Sequence, residues 1–197
     1  MEKNRLEAFS DGELAIIITI MVLELKVPHG EDLSALIAVW PIFLSYVLSF
    51  VYVGIYWNNH HHMLQSVRQV SGAVLWANLH LLFWLSLLPF TTGWMGETGF
   101  AHWPTVLYGI NLLICAVAYF LLQTRLVRLQ GPDGLLARAV GADVKGKTSP
   151  LLYAIGIAAA WVIAPWTGLL FFVAAALLWL VPDRRLERML SERGLGI

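Results

Sequence analysis

From Arg5 to Pro28 the chain reads R-L-E-A-F-S-D-G-E-L-A-I-I-I-T-I-M-V-L-E-L-K-V-P. The stretch is apolar enough to cross a bilayer as a helix, yet it carries more polar chemistry than any other apolar segment of the chain. Arg5, Glu7, Asp11 and Glu13 crowd its first turns, Thr19 sits mid-span, and Glu24 and Lys26 mark its far end. An ionised side chain at the centre of a membrane helix costs about 2.5–3.5 kcal/mol on insertion scales. Such groups are kept where they face protein or water, so this helix is expected inside an assembly.

At about 100° per residue, Gly12, Ile16, Ile20, Leu23 and Val27 fall on one narrow stripe, with Thr19 beside it. Asp11 and Ser10 look away from that stripe. A smooth apolar stripe can simply face lipid or pack on a neighbour. The polar cluster argues against lipid, because a lipid-facing helix has no reason to carry it.

Composition sets the solvent. Hydrophobic residues make up 58% and charged residues 13%, against about 25% charged in soluble domains. The mean hydropathy is +0.69. This is the profile of an all-α integral membrane protein. The 197 residues leave little room for a soluble domain beside several spans of about 20 residues each. A net charge of zero gives no basic surface for nucleic acid. Cys115 is the single cysteine, and in an apolar segment it reads as filler. Acidic residues interrupt the N-terminus, so a cleavable signal is not expected there.

Further apolar runs follow at Leu33 to Asn58, Gly72 to Phe90, Thr105 to Thr124 and Pro150 to Val181. Thr91 to Pro104, with three glycines and two tryptophans, reads as an interfacial loop. The last run is broken at Pro165-Trp166-Thr167-Gly168 and reads as two short helices in a hairpin. With six spans and an inner N-terminus, Lys26 is the one cation left outside among 13 lysines and arginines. Five spans would put the tail arginines 184, 185, 188 and 193 outside, against the positive-inside rule. Six spans are therefore expected, with both termini cytoplasmic.

His60, His61 and His62 are adjacent, so on a helix they point about 100° apart and cannot converge on one metal ion. No metal site is expected. They are placed instead at the depth of Arg5 to Asp11 and of Asn78 and His80, where polar groups on three helices hydrogen-bond across. No catalytic set or nucleotide-binding loop is present, so no enzyme activity is expected. Charged residues do not line a path through several spans, as a carrier would require. A pore would have to come from several copies, each giving its first helix.

The motif R-L-E-A-F-S-D-G with A-I-I-I-T-I-M-V-L-E-L-K-V-P resembles the first helix of the transmembrane protein 175 family of potassium channels. Trp57-Asn58-Asn59-His60-His61 resembles that family's second-helix ending. Trp76-Ala77-Asn78-Leu79 and Leu88-Pro89-Phe90 resemble its third helix. The resemblance implies six transmembrane helices per subunit, homotetramers in prokaryotic members, and a central pore lined by first helices. It implies no T-V-G-Y-G carbonyl filter, and none is present. By position after F-S-D, Ile16, Ile20 and Leu23 match the family's pore-narrowing residues, and Thr19 matches its hydroxyl layer. Arg5, Phe9, Ser10 and Asp11 match the signature, with Trp57, Asn59, His60, His61 and Asn78 as its structural network. Glu13 departs from the family's usual apolar residue and would sit at the pore mouth.

The expectation is therefore a passive homotetrameric channel for K+ and related monovalent cations, in the cell membrane and without a cofactor. Residues 1–182 would form a six-helix transmembrane channel domain and residues 183–197 a basic cytoplasmic tail. The alternative is a small secondary transporter or proton-coupled carrier using the Asp/His cluster.

Overall fold

The computed structural model describes residues 3–67, 69–141 and 143–180. Arg68 and the expected tail 183–197 lie outside the described residues, so part of the topology count does too. Within them the helices are α1 Lys3–Leu23, α2 Leu33–Ala38, α3 Trp40–Gln65, α4 Gly72–Ser86 and α5 Leu88–Glu97. The chain continues through α6 His102–Gln130, α7 Leu135–Val140, α8 Val144–Val162 and α9 Pro165–Leu180.

Prolines set several of the starts. Pro41 and Pro89 occupy the first turns of α3 and α5, and α9 begins at Pro165. At these positions a missing N–H removes no intrahelical bond. Ser71 caps α4, its hydroxyl accepting from the Val74 N–H at 3.4 Å. Asp143 caps α8 by accepting from the Gly146 N–H at 3.0 Å.

The arrangement is two packed groups. One is α1 lying on α3, α4 and α5; the other is α6 with α8 and α9. They are joined where α6 packs on α4 and α5 and where α3 meets α9. Trp40–Gln65, the joined α4–α5 stretch Gly72–Glu97, and His102–Gln130 are each long and apolar enough to cross a membrane. Pro165–Leu180 is apolar but shorter. α1 has 21 residues, but its charges distinguish it from those three.

Three sequence expectations change. The segment read as a loop from Thr91 to Pro104 is mostly helix, with Thr91, Thr92, Gly93, Met95 and Gly96 buried. Gly96 serves close packing: a Cβ there would lie 2.8 Å from the Ile42 Cα and 2.4 Å from the Ser45 Oγ. The second apolar run is broken at Val39 ahead of Pro41, and its helix reaches Gln65 rather than stopping near Asn58. The hydrophilic stretch from Arg125 carries the end of α6, all of α7 and the start of α8. The hairpin of α8 and α9 stands where the sequence placed it, turning at Ile163 and Ala164.

Candidate functional site

α1 has two faces of opposite character. Leu6, Ser10, Leu14, Ile17 and Met21 are buried at spacings of three and four, the period of one helical face. On the other side Phe9 is exposed, as are Ile16 at 54%, Ile20 at 43% and Leu23 at 75%. Arg5, Gly12, Ala15 and Thr19 are exposed with them. Val27, assigned to the same stripe from the wheel, lies beyond the helix end at Leu23 and is not part of it.

A chain of buried hydrogen bonds fixes the inner face. The Ser10 hydroxyl donates to the Leu6 carbonyl at 2.8 Å and accepts from Asn78 Nδ2 at 2.9 Å. Asn78 Oδ1 lies 2.7 Å from His60 Nε2. Because the amide nitrogen serves Ser10, the amide oxygen must accept, and His60 holds its proton on Nε2. The other ring nitrogen, Nδ1, is buried without a hydrogen-bond partner. Ser10, His60 and Asn78 thus tie α1, α3 and α4 together at one depth, as the sequence led one to expect.

A second layer lies nearer the helix ends. Trp57 Nε1 donates to Asp11 Oδ1 at 3.1 Å. The Trp57 ring stacks on His61, centroids 6.1 Å apart at 19°. Gln65 Nε2 lies 2.7 Å from His61 Nε2, so the amide donates there and Nδ1 keeps the proton. That N–H faces Glu7 Oε1 at 3.0 Å, and Lys3 Nζ stands 4.0 Å from Glu7. Among the described residues, Trp57 is the hydrogen-bond donor to Asp11.

The remaining members of the expected network sit apart. Asn59 Nδ2 bonds the Ile55 carbonyl of its own helix at 2.8 Å. Arg5 and Phe9 are exposed, and Arg5 makes no ion pair or hydrogen bond among the described residues. His80 is exposed and accepts from Trp84 Nε1 at 3.0 Å. Thr19 Oγ1 donates to the Ala15 carbonyl at 2.9 Å, which leaves its lone pairs facing outward. Glu13 is half-buried on the flank of the stripe.

A buried hydroxyl cluster escaped sequence reasoning. The Ser49 hydroxyl meets Thr92 Oγ1 at 2.7 Å and the Tyr108 hydroxyl at 3.0 Å. Asn111 Nδ2 donates to Thr91 Oγ1 at 3.3 Å nearby. Reading Thr91 and Thr92 as loop hid both contacts. Among the described residues no group of three acidic, histidine or cysteine side chains is arranged to hold a metal.

The comparisons with known proteins now bear on this geometry. Residues 5–89 match the sequence profile described as the endosomal/lysosomal potassium channel TMEM175. A potassium channel of Chryseobacterium sp. (strain P1-3) is 51% identical over 192 residues, covering 98% of this chain and all of its own. A potassium channel of Streptomyces collinus is 34% identical over 179 residues, covering 84% of this chain and 86% of its own. The crystal structure of a lysosomal potassium-selective channel TMEM175 homolog from Chamaesiphon minutus superposes with a TM-score of 0.79 at 27% identity. That match covers 92% of this chain and 97% of the other.

Proposed function

The chain belongs to the TMEM175 family, and from that premise we propose that it is a passive potassium channel, a homotetramer with α1 at its axis. One observation carries the reading: the outer face of α1 is an apolar stripe that the described residues leave uncovered. The inner face of the same helix is anchored by Ser10, Asn78 and His60. A helix held so firmly on one side, and bare on the other, is built to meet copies of itself.

Around a fourfold axis, Ile16, Ile20 and Leu23 would form rings of branched apolar side chains. Such rings give an ion no ligand in exchange for its hydration water, so they gate by dewetting and by changes in width. Discrimination then falls to size and to the nearest oxygens. Thr19 supplies those: its hydrogen is engaged by Ala15, and its lone pairs stand beside the stripe. Four Glu13 carboxylates at the mouth would raise the local concentration of cations through their field. Arg5 and Phe9 would line the entrance below them.

The helical stretches α1, α3, α4 with α5, α6, α8 and α9 would cross the cell membrane with both ends cytoplasmic, the positive-inside arrangement. The carrier reading finds less support, because its acids and imidazoles are divided among separate packing contacts. Asp11 serves Trp57, His60 serves Asn78, and His61 serves Glu7.

The test is flux from liposomes loaded with potassium and reconstituted with purified protein. A channel dissipates the gradient in the presence of a protonophore without any coupling ion. Flux that saturates at low rates, or that stops when the proton gradient collapses, would sink the proposal in favour of a carrier.

A further inference from the structure

Away from α1, the ends of α3, α6 and α9 and the start of α8 enclose a small cavity. Tyr56, Tyr119, Tyr153 and Trp179 are among the rings that line it, and Asn59, Gln123, Asp143 and Ser149 are polar members of the lining. The Tyr56 and Tyr119 rings meet edge to face at 6.0 Å, and Tyr119 meets Trp179 in the same way at 6.3 Å. Neighbouring walls set nearly at right angles make a box of π faces rather than a stack. The room inside for water-sized groups is about 30 Å³.

Two of the rings are held by other residues of the same lining. The Trp179 N–H donates to the Ser149 hydroxyl at 2.6 Å, and the Tyr119 hydroxyl donates to the Asn59 carbonyl at 3.4 Å. Tyr56 differs. It is only 8% exposed, and its hydroxyl has no hydrogen-bond partner among the described residues.

Asp143 supplies the charge. Its Oδ2 accepts from Gln123 Nε2 at 2.8 Å and its Oδ1 from the Gly146 N–H at 3.0 Å. Both donors are neutral, and among the described residues Asp143 forms no ion pair. A carboxylate offers about four lone-pair directions, so two hydrogen bonds leave capacity for another donor. Aromatic faces around a carboxylate attract a cation. The chain itself shows this attraction at the same indole, since Lys145 Nζ lies 5.9 Å from the Trp179 ring centroid. Among the described residues no basic side chain lines the cavity, and Asp143 is the one charged group that does.

We propose that this cavity is a binding site for a primary alkylammonium group, held by Asp143 and the Tyr56 hydroxyl and walled by Tyr119 and Trp179. The size favours one slim ammonium head, and the unfilled acceptors favour one that carries N–H donors over a methylated head. The ammonium could come from an ethanolamine phospholipid or from a soluble amine; the chemistry of recognition is the same. The site is independent of the pore.

Binding decides it, without reference to conduction. Full-length protein in phosphatidylglycerol nanodiscs is titrated calorimetrically with ethylammonium chloride and, for contrast, tetramethylammonium chloride at constant ionic strength. Native mass spectrometry scores retention of phosphatidylethanolamine over phosphatidylglycerol. Asp143→Asn keeps an N-cap of equal quality and should weaken ethylammonium about tenfold or more. Tyr56→Phe, which breaks no existing hydrogen bond, should weaken it about twofold to tenfold. Retention of the ethanolamine lipid that Asp143→Asn abolishes identifies the lipid as source, and ethylammonium binding without such retention identifies a soluble amine. Wild-type protein that binds neither overturns the proposal, as does equal binding by both variants, or tetramethylammonium bound as tightly as ethylammonium.

Discussion

At the scale of single residues, the contrast between His60 and Thr19 separates scaffold from pore. His60 and Asn78 are buried partners, and truncating one strands the other's polar atom at about 1–3 kcal/mol. Asn78→Leu or His60→Leu alone should lower the melting temperature of the detergent-solubilised protein measurably. The double variant, which strands less, should lose clearly less than the sum of the two. Strict additivity would show that the bond contributes nothing. The stripe behaves differently, because Ile16, Ile20 and Leu23 stand exposed among the described residues. Ile16→Asn should leave the subunit as stable as before and the channel leakier and less discriminating. Thr19→Ala should keep conduction but shift the reversal potential under mixed potassium and sodium toward less preference for potassium. An unchanged reversal potential would reduce Thr19 to its bond with the Ala15 carbonyl.

At the scale of elements, the glycines test which faces are packed. Gly96 faces the Ile42 backbone closely enough that a methyl group must push α3 and α5 apart, whereas none of the described residues lies within 4 Å of a Cβ on Gly12. Gly96→Ala should therefore destabilise the solubilised subunit by about 1–3 kcal/mol. Gly12→Ala should leave subunit stability unchanged and alter tetramer assembly or conductance, since it lies on the stripe. Size-exclusion profiles against thermal melts distinguish the two, and equal loss of melting temperature would contradict the assignment of faces. At the far end of α1, Lys26 bonds Glu97 of α5, and that carboxylate raises the ammonium's pKa above its ordinary 10.5. Lys26's side of this pair is fully charged below its ordinary value and discharges only as the pH climbs beyond it. The contact is insensitive to ordinary changes in pH.

The elements also show how far the sequence could be read. The two faces of α1 followed from periodicity, and the Ser10–Asn78–His60 bonds from polar residues at matching depth on three helices. α5 was missed because glycine, threonine and proline there signal a turn in water. Within a packed bundle the same residues permit close approach, and hydroxyls bond to helix carbonyls or to one another. The aromatic cavity was invisible for another reason: Tyr56, Tyr119, Asp143 and Trp179 are far apart in the chain and meet only through the fold.

At the scale of the whole molecule, orientation is the property most open to test. Gly99 and Gly131, natural choices for labelling in loops at opposite ends, adopt φ values of +61° and +82°, where a cysteine would be strained. Thr98 and Asp133 are exposed neighbours without that difficulty. In a Cys115→Ala background, Thr98→Cys should react with an impermeant maleimide from outside intact cells and Asp133→Cys only after lysis. Equal labelling from outside would refute the six-span arrangement. The bare stripe on α1 has a further consequence, which belongs to genetics. In a fourfold pore every ring is a joint product of four gene copies' worth of chain. A variant on the stripe leaves its subunit sound, so it enters mixed tetramers and spoils the ring its sound partners share. A variant on the anchored face damages its own subunit before assembly and is left behind. Alleles of the first kind should be dominant and alleles of the second recessive, so co-expression with the wild-type chain would sort the two faces of one helix by inheritance alone.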